Sequence, residues 1–239
     1  MKLLDLTLAT PAENLALDEA LLEAAEAGEV ADEVLRLWES PQPMVVLGRS
    51  SKVAEEVDLA ACLRDGVPIL RRASGGAAIV AGPGCLMYGV VLRYAGREHL
   101  RLLDEVHRHV LGIVRSAVEP LLSGVEHVGT SDLAIGGRKF SGNSLRCKRD
   151  HFLYHGTLLY GLDLSLVGRL LRMPPRQPEY RGGRLHGDFV GNITIGGDAL
   201  RRAVAAGFDA RQALVGWPEE RTMELIAARY SRDGWNFER

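Results

Sequence analysis

Two periodicities alternate along this chain. Apolar residues recur at helical spacing in a few long stretches, and elsewhere they gather in short runs of strand length. Thr10-Pro11-Ala12-Glu13 opens the first helix. Thr10 supplies the cap, Pro11 fits the first helical position, and Glu13 completes a capping box. Leu17, Leu21 and Ala24 form one apolar stripe that runs toward Gly28 as a stop. A second helix is predicted over Leu102 to Val118, with Leu103, Val106, Val110, Ile113, Val114 and Ala117 in register. Shorter helices are expected over Val53 to Arg64, Leu164 to Leu171, Gly197 to Phe208 and Pro218 to Tyr230.

Strands are expected at Val34 to Trp38 and Met44 to Leu47, with Pro41 and Pro43 marking the turn between them. Ile69 to Val80 reads as strand, glycine turn, strand. Leu86 to Leu92 and Phe152 to Tyr160 are further strands. Leu133 to Ser141 reads as a tight hairpin, because Gly136-Gly137 permits the positive φ its turn needs. Pro174 to Gly191 shows no period and reads as a long loop, a kind of segment that is often functional. Mixed connection lengths and hairpins favour an α+β domain with a largely antiparallel sheet.

The 239 residues suit one large domain, and a 46% hydrophobic fraction gives ample core. A net charge of −2 gives no global attraction to nucleic acid or an anionic membrane. No segment is long and apolar enough for a membrane helix, and no signal peptide is evident. Three cysteines, Cys62, Cys85 and Cys147, fit free thiols in a reducing cytoplasm.

The chemistry concentrates in Arg71-Arg72-Ala73-Ser74-Gly75-Gly76-Ala77-Ala78-Ile79-Val80. Arginine offers a planar fork of donors to phosphate or carboxylate. Adjacent glycines let the backbone approach an anion closely. The run by itself is equally compatible with an anion site and with an ordinary hairpin.

Four further stretches, taken with this run, carry a family resemblance. They are Pro11 to Ala16; Leu47-Gly48-Arg49 with Glu55-Glu56-Val57; Ser131-Asp132-Leu133 with Arg138 to Gly142 and His155 to Leu159; and Trp235-Asn236. In this order they resemble the lipoate–protein ligase family, which is related to octanoyltransferases. The resemblance implies a class II aminoacyl-tRNA synthetase and biotin synthetase-like α+β fold, a mixed sheet flanked by helices. It also implies that ATP activates lipoate or octanoate to an acyl adenylate, with Mg²⁺ accompanying the nucleotide. The acyl group then passes to a lysine of an acceptor lipoyl domain, either a 2-oxoacid dehydrogenase E2 or a glycine cleavage H protein.

Carried over residue by residue, the resemblance makes Lys139 the catalytic residue. An ammonium there screens phosphate from carboxylate and stabilises charge that develops in transfer. Arg71, Arg72, Ser74, Gly75, Gly76, Ala77, Ala78, Ile79 and Val80 would hold the ATP or acyl adenylate, together with Lys139, Ser141, Gly142, Arg146 and His155. Asp132 is a candidate metal ligand that could instead orient Lys139. Basic residues at 138–149 and 172–184 could meet an acidic lipoyl domain.

The chain departs from the family's pattern at Ala77, at Ala81-Gly82, at Cys85 and at Tyr154, so substrate and activation step stay open. One alternative is an octanoyl transferase working through a cysteine thioester. The segments that carry the thiol in such enzymes read Val128 to Ser131 and Arg172 to Pro175 here, without cysteine. Another is a non-catalytic lipoyl-binding subunit. The chain is expected to be a single catalytic domain without a C-terminal accessory domain, so an accessory part would come from a separate subunit.

Overall fold

The computed structural model describes residues 1–237. Eleven strands occur among them: β1 (Lys2–Asp5), β2 (Val34–Trp38), β3 (Met44–Leu47), β4 (Ile69–Arg71), β5 (Ile79–Ala81), β6 (Cys85–Arg93), β7 (Glu126–Val128), β8 (Asp132–Ile135), β9 (Arg138–Cys147), β10 (His151–Leu159) and β11 (Gln212–Ala213). The helices are α1 (Pro11–Glu26), α2 (Val53–Glu56), α3 (Leu59–Arg64), α4 (Leu103–Val118), α5 (Ser165–Leu170), α6 (His186–Phe189), α7 (Gly197–Gly207), α8 (Glu219–Leu225) and α9 (Asp233–Phe237).

Eight strands form one mixed sheet in the order β11-β1-β2-β6-β10-β9-β8-β7. It is parallel only at the β11-β1-β2 edge and antiparallel across the rest. A second sheet, β4-β3-β5, is separate. The architecture is thus the expected α+β arrangement.

Period-2 alternation assigns the two faces of the large sheet. Leu86, Tyr88, Val90 and Leu92 on β6, with Phe152 and Tyr154 on β10, pack under α4 and α7. Cys85, Met87, Val91, Leu153 and Leu159 point the other way, toward α1 and the small sheet. The site lies on this second face, where the small sheet overhangs β10 and β9.

Several local expectations change. The strands β4 and β5 do not pair with each other; both pair with β3, which lies between them. The glycine run is therefore a crossover loop over β3. The helix expected over Val53 to Arg64 is two, because the Asp58 side chain accepts from the Ala61 amide and caps a new start. The segment Pro174 to Gly191 contains a 3₁₀ turn at Glu179–Arg181 and α6. In α4, Leu103 is exposed, while Val106, Val110 and Val114 are buried.

The capping box of α1 forms as its sequence predicts: Thr10 N–H donates to Glu13 Oε2 at 2.7 Å, and Glu13 N–H to Thr10 Oγ1 at 3.3 Å. Its single apolar stripe does not hold. Asn14, Asp18 and Glu19 are also buried, so α1 is enclosed on nearly every side and carries polar groups into the core.

Candidate active site

Antiparallel pairing sets the floor of the site. His155 on β10 lies opposite Ser144 on β9, and Gly156 opposite Asn143, while Asp132 on β8 lies opposite Gly142. Two glycines make room here. A Cβ on Gly156 would sit 1.7 Å from Asn143 Oδ1, and one on Gly142 would sit 2.8 Å from Lys139 Nζ. Main chain alone fits at both positions, and Lys139 curls across Gly142.

The glycine loop is the roof. Arg72 is 8% exposed and spends its guanidinium on carbonyls of that loop and of β3. It donates to Gly75 O at 2.5 Å, to Ala77 O at 3.1 Å and to Val46 O at 3.2 Å. Burial lowers its pKa to about 10, against the opposing pull of Glu56. The Ser144 hydroxyl ties Gly75 O to β9 at 2.9 Å. From outside, Leu47-Gly48-Arg49 braces the loop. Arg49 N–H donates to Ser74 O, and Arg72 N–H to Leu47 O. A Cβ on Gly48 would lie 1.8 Å from Gly76 O, so only glycine permits this approach.

Arg71 is a correction. It lies outside the cleft, because neighbouring residues at the end of a strand point to opposite sides. Its guanidinium donates to Gly48 O at 2.8 Å, Ser51 O at 2.7 Å, Trp235 O at 2.9 Å and Asn236 O at 3.1 Å. Arg71 is thus a strut that locks Trp235-Asn236 to the Gly48 turn.

A buried polar string crosses the floor. Ser74 Oγ is 2.5 Å from His155 Nε2; His155 Nδ1 is 3.6 Å from Asp18 Oδ2; Asp18 Oδ1 pairs with Arg36 at 2.5 Å. Burial alone would raise the Asp18 carboxyl. Arg36 and His155 outweigh it and hold the group below its ordinary range.

At the centre, Lys139 Nζ pairs with Asp132 Oδ1 at 2.7 Å, and the Tyr180 hydroxyl donates to Asp132 Oδ2 at 2.7 Å. Asp132, the candidate metal ligand, is thus held between Lys139 and Tyr180. Both its oxygens are engaged, and no group of three His, Cys, Asp or Glu suited to an ion occurs among the described residues. The donors present do not fit a resident metal ion.

Two compartments meet at Lys139, which lines both. One, of about 390 Å³, is walled by Leu15, Val46, Met87, Arg72, Ser144 and His155, with Gly76 to Ile79 above. The other, of about 140 Å³, lies under Ala77 to Val80 and is largely apolar, with Phe140, Leu159, Leu171 and Phe189. Ser141 and Gly142 line it too, and Glu56 sits in its wall, accepting the Ala78 N–H at 2.6 Å.

Of the predicted residues, Arg72, Gly76 to Val80, Lys139, Asp132, Ser141, Gly142 and His155 come together on these walls. Ser74 and Gly75 lie behind the wall, bound to His155 and Arg72. Arg146 lies outside both compartments, opposite Leu153 on the α1 side of the sheet. The apolar Leu47, Leu86 and Tyr88 are core residues and line neither compartment. Asp18, Glu56, Asn143, Ser144 and Tyr180 were not singled out by their sequence as site residues. Only Glu56 carried a signal, within the Glu55-Glu56-Val57 motif.

None of the three cysteines lines either compartment. Cys62 and Cys85 are buried, and burial pushes the Cys85 thiol up to about 12. Cys147 is exposed at the far end of β9.

The mixed-sheet α+β fold thus gathers an ammonium, a guanidinium-held glycine loop and two joined slots in one cleft. The chain belongs to the lipoyl protein ligase A/B catalytic domain family, whose model matches residues 10–200. It is 32% identical over 160 residues to a probable lipoate-protein ligase A of Mycoplasma pneumoniae, covering 67% of this chain and 45% of that protein. It is 30% identical over 260 residues to the octanoyltransferase LipM of Symbiobacterium thermophilum, covering 94% and 93% respectively. The chain thus spans about half the length of that ligase relative. A structure from work on a bi-partite lipoate protein ligase and its E2 lipoyl domain of Thermoplasma acidophilum shares the fold at TM-score 0.84 and 24% identity, covering 98% of this chain and 95% of that one. No helix among the described residues is long and apolar enough to cross a membrane.

Proposed function

We propose that this chain is an ATP-dependent lipoate–protein ligase. The observation that carries the reading is Lys139, an ammonium at the junction of two compartments that hold no thiol. The adenosine end of ATP fits the apolar slot under Ala77 to Val80, where the loop offers mainly backbone. Lipoate or octanoate fits the larger compartment, with Leu15, Val46 and Met87 at its apolar end. Both reacting groups, carboxylate and α-phosphate, then meet beside Lys139.

In the first step a carboxylate oxygen attacks the α-phosphorus and pyrophosphate leaves, giving the acyl adenylate. In the second, a lysine ε-amine of the acceptor attacks the acyl carbonyl, loses a proton and expels AMP. Lys139 reduces the repulsion between the two anions before the first step and stabilises the developing charge in both. Arg72 keeps the loop shaped for close approach of phosphate. Mg²⁺ arrives with the nucleotide phosphates, as such ions usually do.

The acceptor is a lipoyl domain of an E2 or H protein. Free thiols fit a cytoplasmic setting. Octanoyl transfer from an acyl carrier protein is the second reading. It is favoured by the alignment with an octanoyltransferase over nearly the whole of both chains.

The two readings separate in a mixture of protein, Mg²⁺-ATP and lipoate without acceptor. A ligase forms protein-bound lipoyl-AMP and releases pyrophosphate. A transferase releases none, and its protein gains mass only from an acyl carrier protein donor.

A further inference from the structure

Tyr180 comes from a segment with no sequence period, yet its hydroxyl reaches the centre of the site. Pro174, Pro178 and Arg181, to either side of it, wall the apolar compartment, as do His186, Phe189 and Val190. This segment is fastened to the hairpin that bears Lys139. Arg184 donates to Gly137 O at 2.8 Å, Arg138 donates to Gly187 O at 2.8 Å, and Gly191 N–H donates to Lys139 O at 2.9 Å. Its link to the floor is the hydroxyl of Tyr180 on Asp132 at 2.7 Å, and the other oxygen of that carboxylate holds Lys139. The ring packs on Phe189 at 5.2 Å between centroids, and Gly129 leaves space beside it.

We infer that Tyr180 is a positioning residue that, by donating to Asp132, allows Lys139 to leave that carboxylate for the substrate. An ammonium bound to a carboxylate is not free to face a phosphate. Asp132 is only 7% exposed, so it cannot let the ammonium go without another donor to keep it satisfied. The phenol is that donor. Burial, and then Asp132, push its pKa upward, so the proton stays on the phenol as the bond requires. In the structure the two donors share the carboxylate, Lys139 on Oδ1 and Tyr180 on Oδ2. When substrate draws Lys139 away, Tyr180 keeps Asp132 satisfied.

The inference rests on the role given to Lys139 above, and it applies to acyl transfer from either donor. Tyr180→Phe keeps the ring and removes the hydroxyl. Two readouts test it. The first is the rate at which an amine-acylating reagent labels Lys139, followed by peptide mass spectrometry on the chain alone. The second is acyl transfer to an apo lipoyl domain, measured with whichever donor the wild type uses. Tyr180→Phe should slow Lys139 labelling about threefold, because Asp132 then holds the ammonium harder. It should lower kcat about tenfold with KM for the donor within twofold. A residue that merely packs the segment would give the opposite sign, since a loosened cover exposes Lys139 and speeds labelling. Unchanged or faster labelling, or kcat within twofold of wild type, overturns the proposal. Failure of the ligase reading shows separately, as a wild type that uses only the acyl carrier protein donor.

Discussion

Lys139 and Asp132 stand on adjacent strands of one hairpin, with Nζ 2.7 Å from Oδ1. The pair lies where the two compartments join, so the cation is stored at the point where two anionic groups would meet. A β-bulge between Leu133 and Ala134 shifts the register of β8 against β9 there, bringing Lys139 opposite Ala134.

Replacing Lys139 by alanine removes that cation. Acyl transfer should fall about 10²- to 10³-fold, the usual cost of losing one preorganised charge stabiliser. Folding stability should fall by about 1–3 kcal/mol, since Asp132 is buried and loses one of its two donors. Near wild-type turnover in a folded variant would refute the assignment.

The glycines of the loop are not equivalent. A Cβ on Gly75 meets nothing within 4 Å, whereas one on Gly48 would lie 1.8 Å from Gly76 O. Gly76 itself has φ +89°. Gly75→Ala should keep activity within a few fold, while Gly48→Ala should displace the loop and abolish nucleotide binding. Binding by calorimetry checks this, and equal effects of the two substitutions would show that the close approach is not what shapes the loop.

The buried string through Asp18 predicts a pH dependence. Its carboxyl sits below its ordinary 3.8 in the folded chain, chiefly through Arg36 overcoming burial. A carboxylate shifted this way stabilises the fold above its unfolded pKa, and that stability is lost as pH falls through the folded value. Asp18→Asn should cost about 3–5 kcal/mol at pH 7, because it strands the Arg36 charge. The gap from wild type should narrow below about pH 4 as Asp18 itself protonates. Urea midpoints across pH measure it, and a gap that does not vary with pH would count against the string.

The cysteines predict selective chemistry. In the native protein a thiol reagent at pH 8 should label Cys147 and spare Cys62 and Cys85, which burial shields and holds protonated. Serine at each of the three positions should leave transfer intact, although Cys85→Ser brings a hydroxyl into an apolar site and lowers stability. Loss of turnover in a folded, stable cysteine variant would move the account to the transferase reading.

Much of this was legible in the chain. The Thr10 box, the Gly136-Gly137 turn and the period of α4 are local signals, and each one forms. β1, β7 and β11 have 4, 3 and 2 residues, too few to display a period. Arg71 and Arg72 looked equivalent as a dipeptide, yet strand alternation sends only one to the cleft. Asp18 and Arg36 are 18 residues apart, and no local pattern announces their pairing. Tyr180 was hidden because the wall it belongs to owes its shape to side chains fastened to a distant hairpin, which leaves no period along the sequence.

The most direct test is the mass of an apo lipoyl domain after incubation with this protein, Mg²⁺-ATP and lipoate. The account predicts one lipoyl group on the acceptor lysine, one AMP formed per group, and neither with Lys139→Ala. An acceptor that is modified only by an octanoyl acyl carrier protein, without ATP, would contradict it.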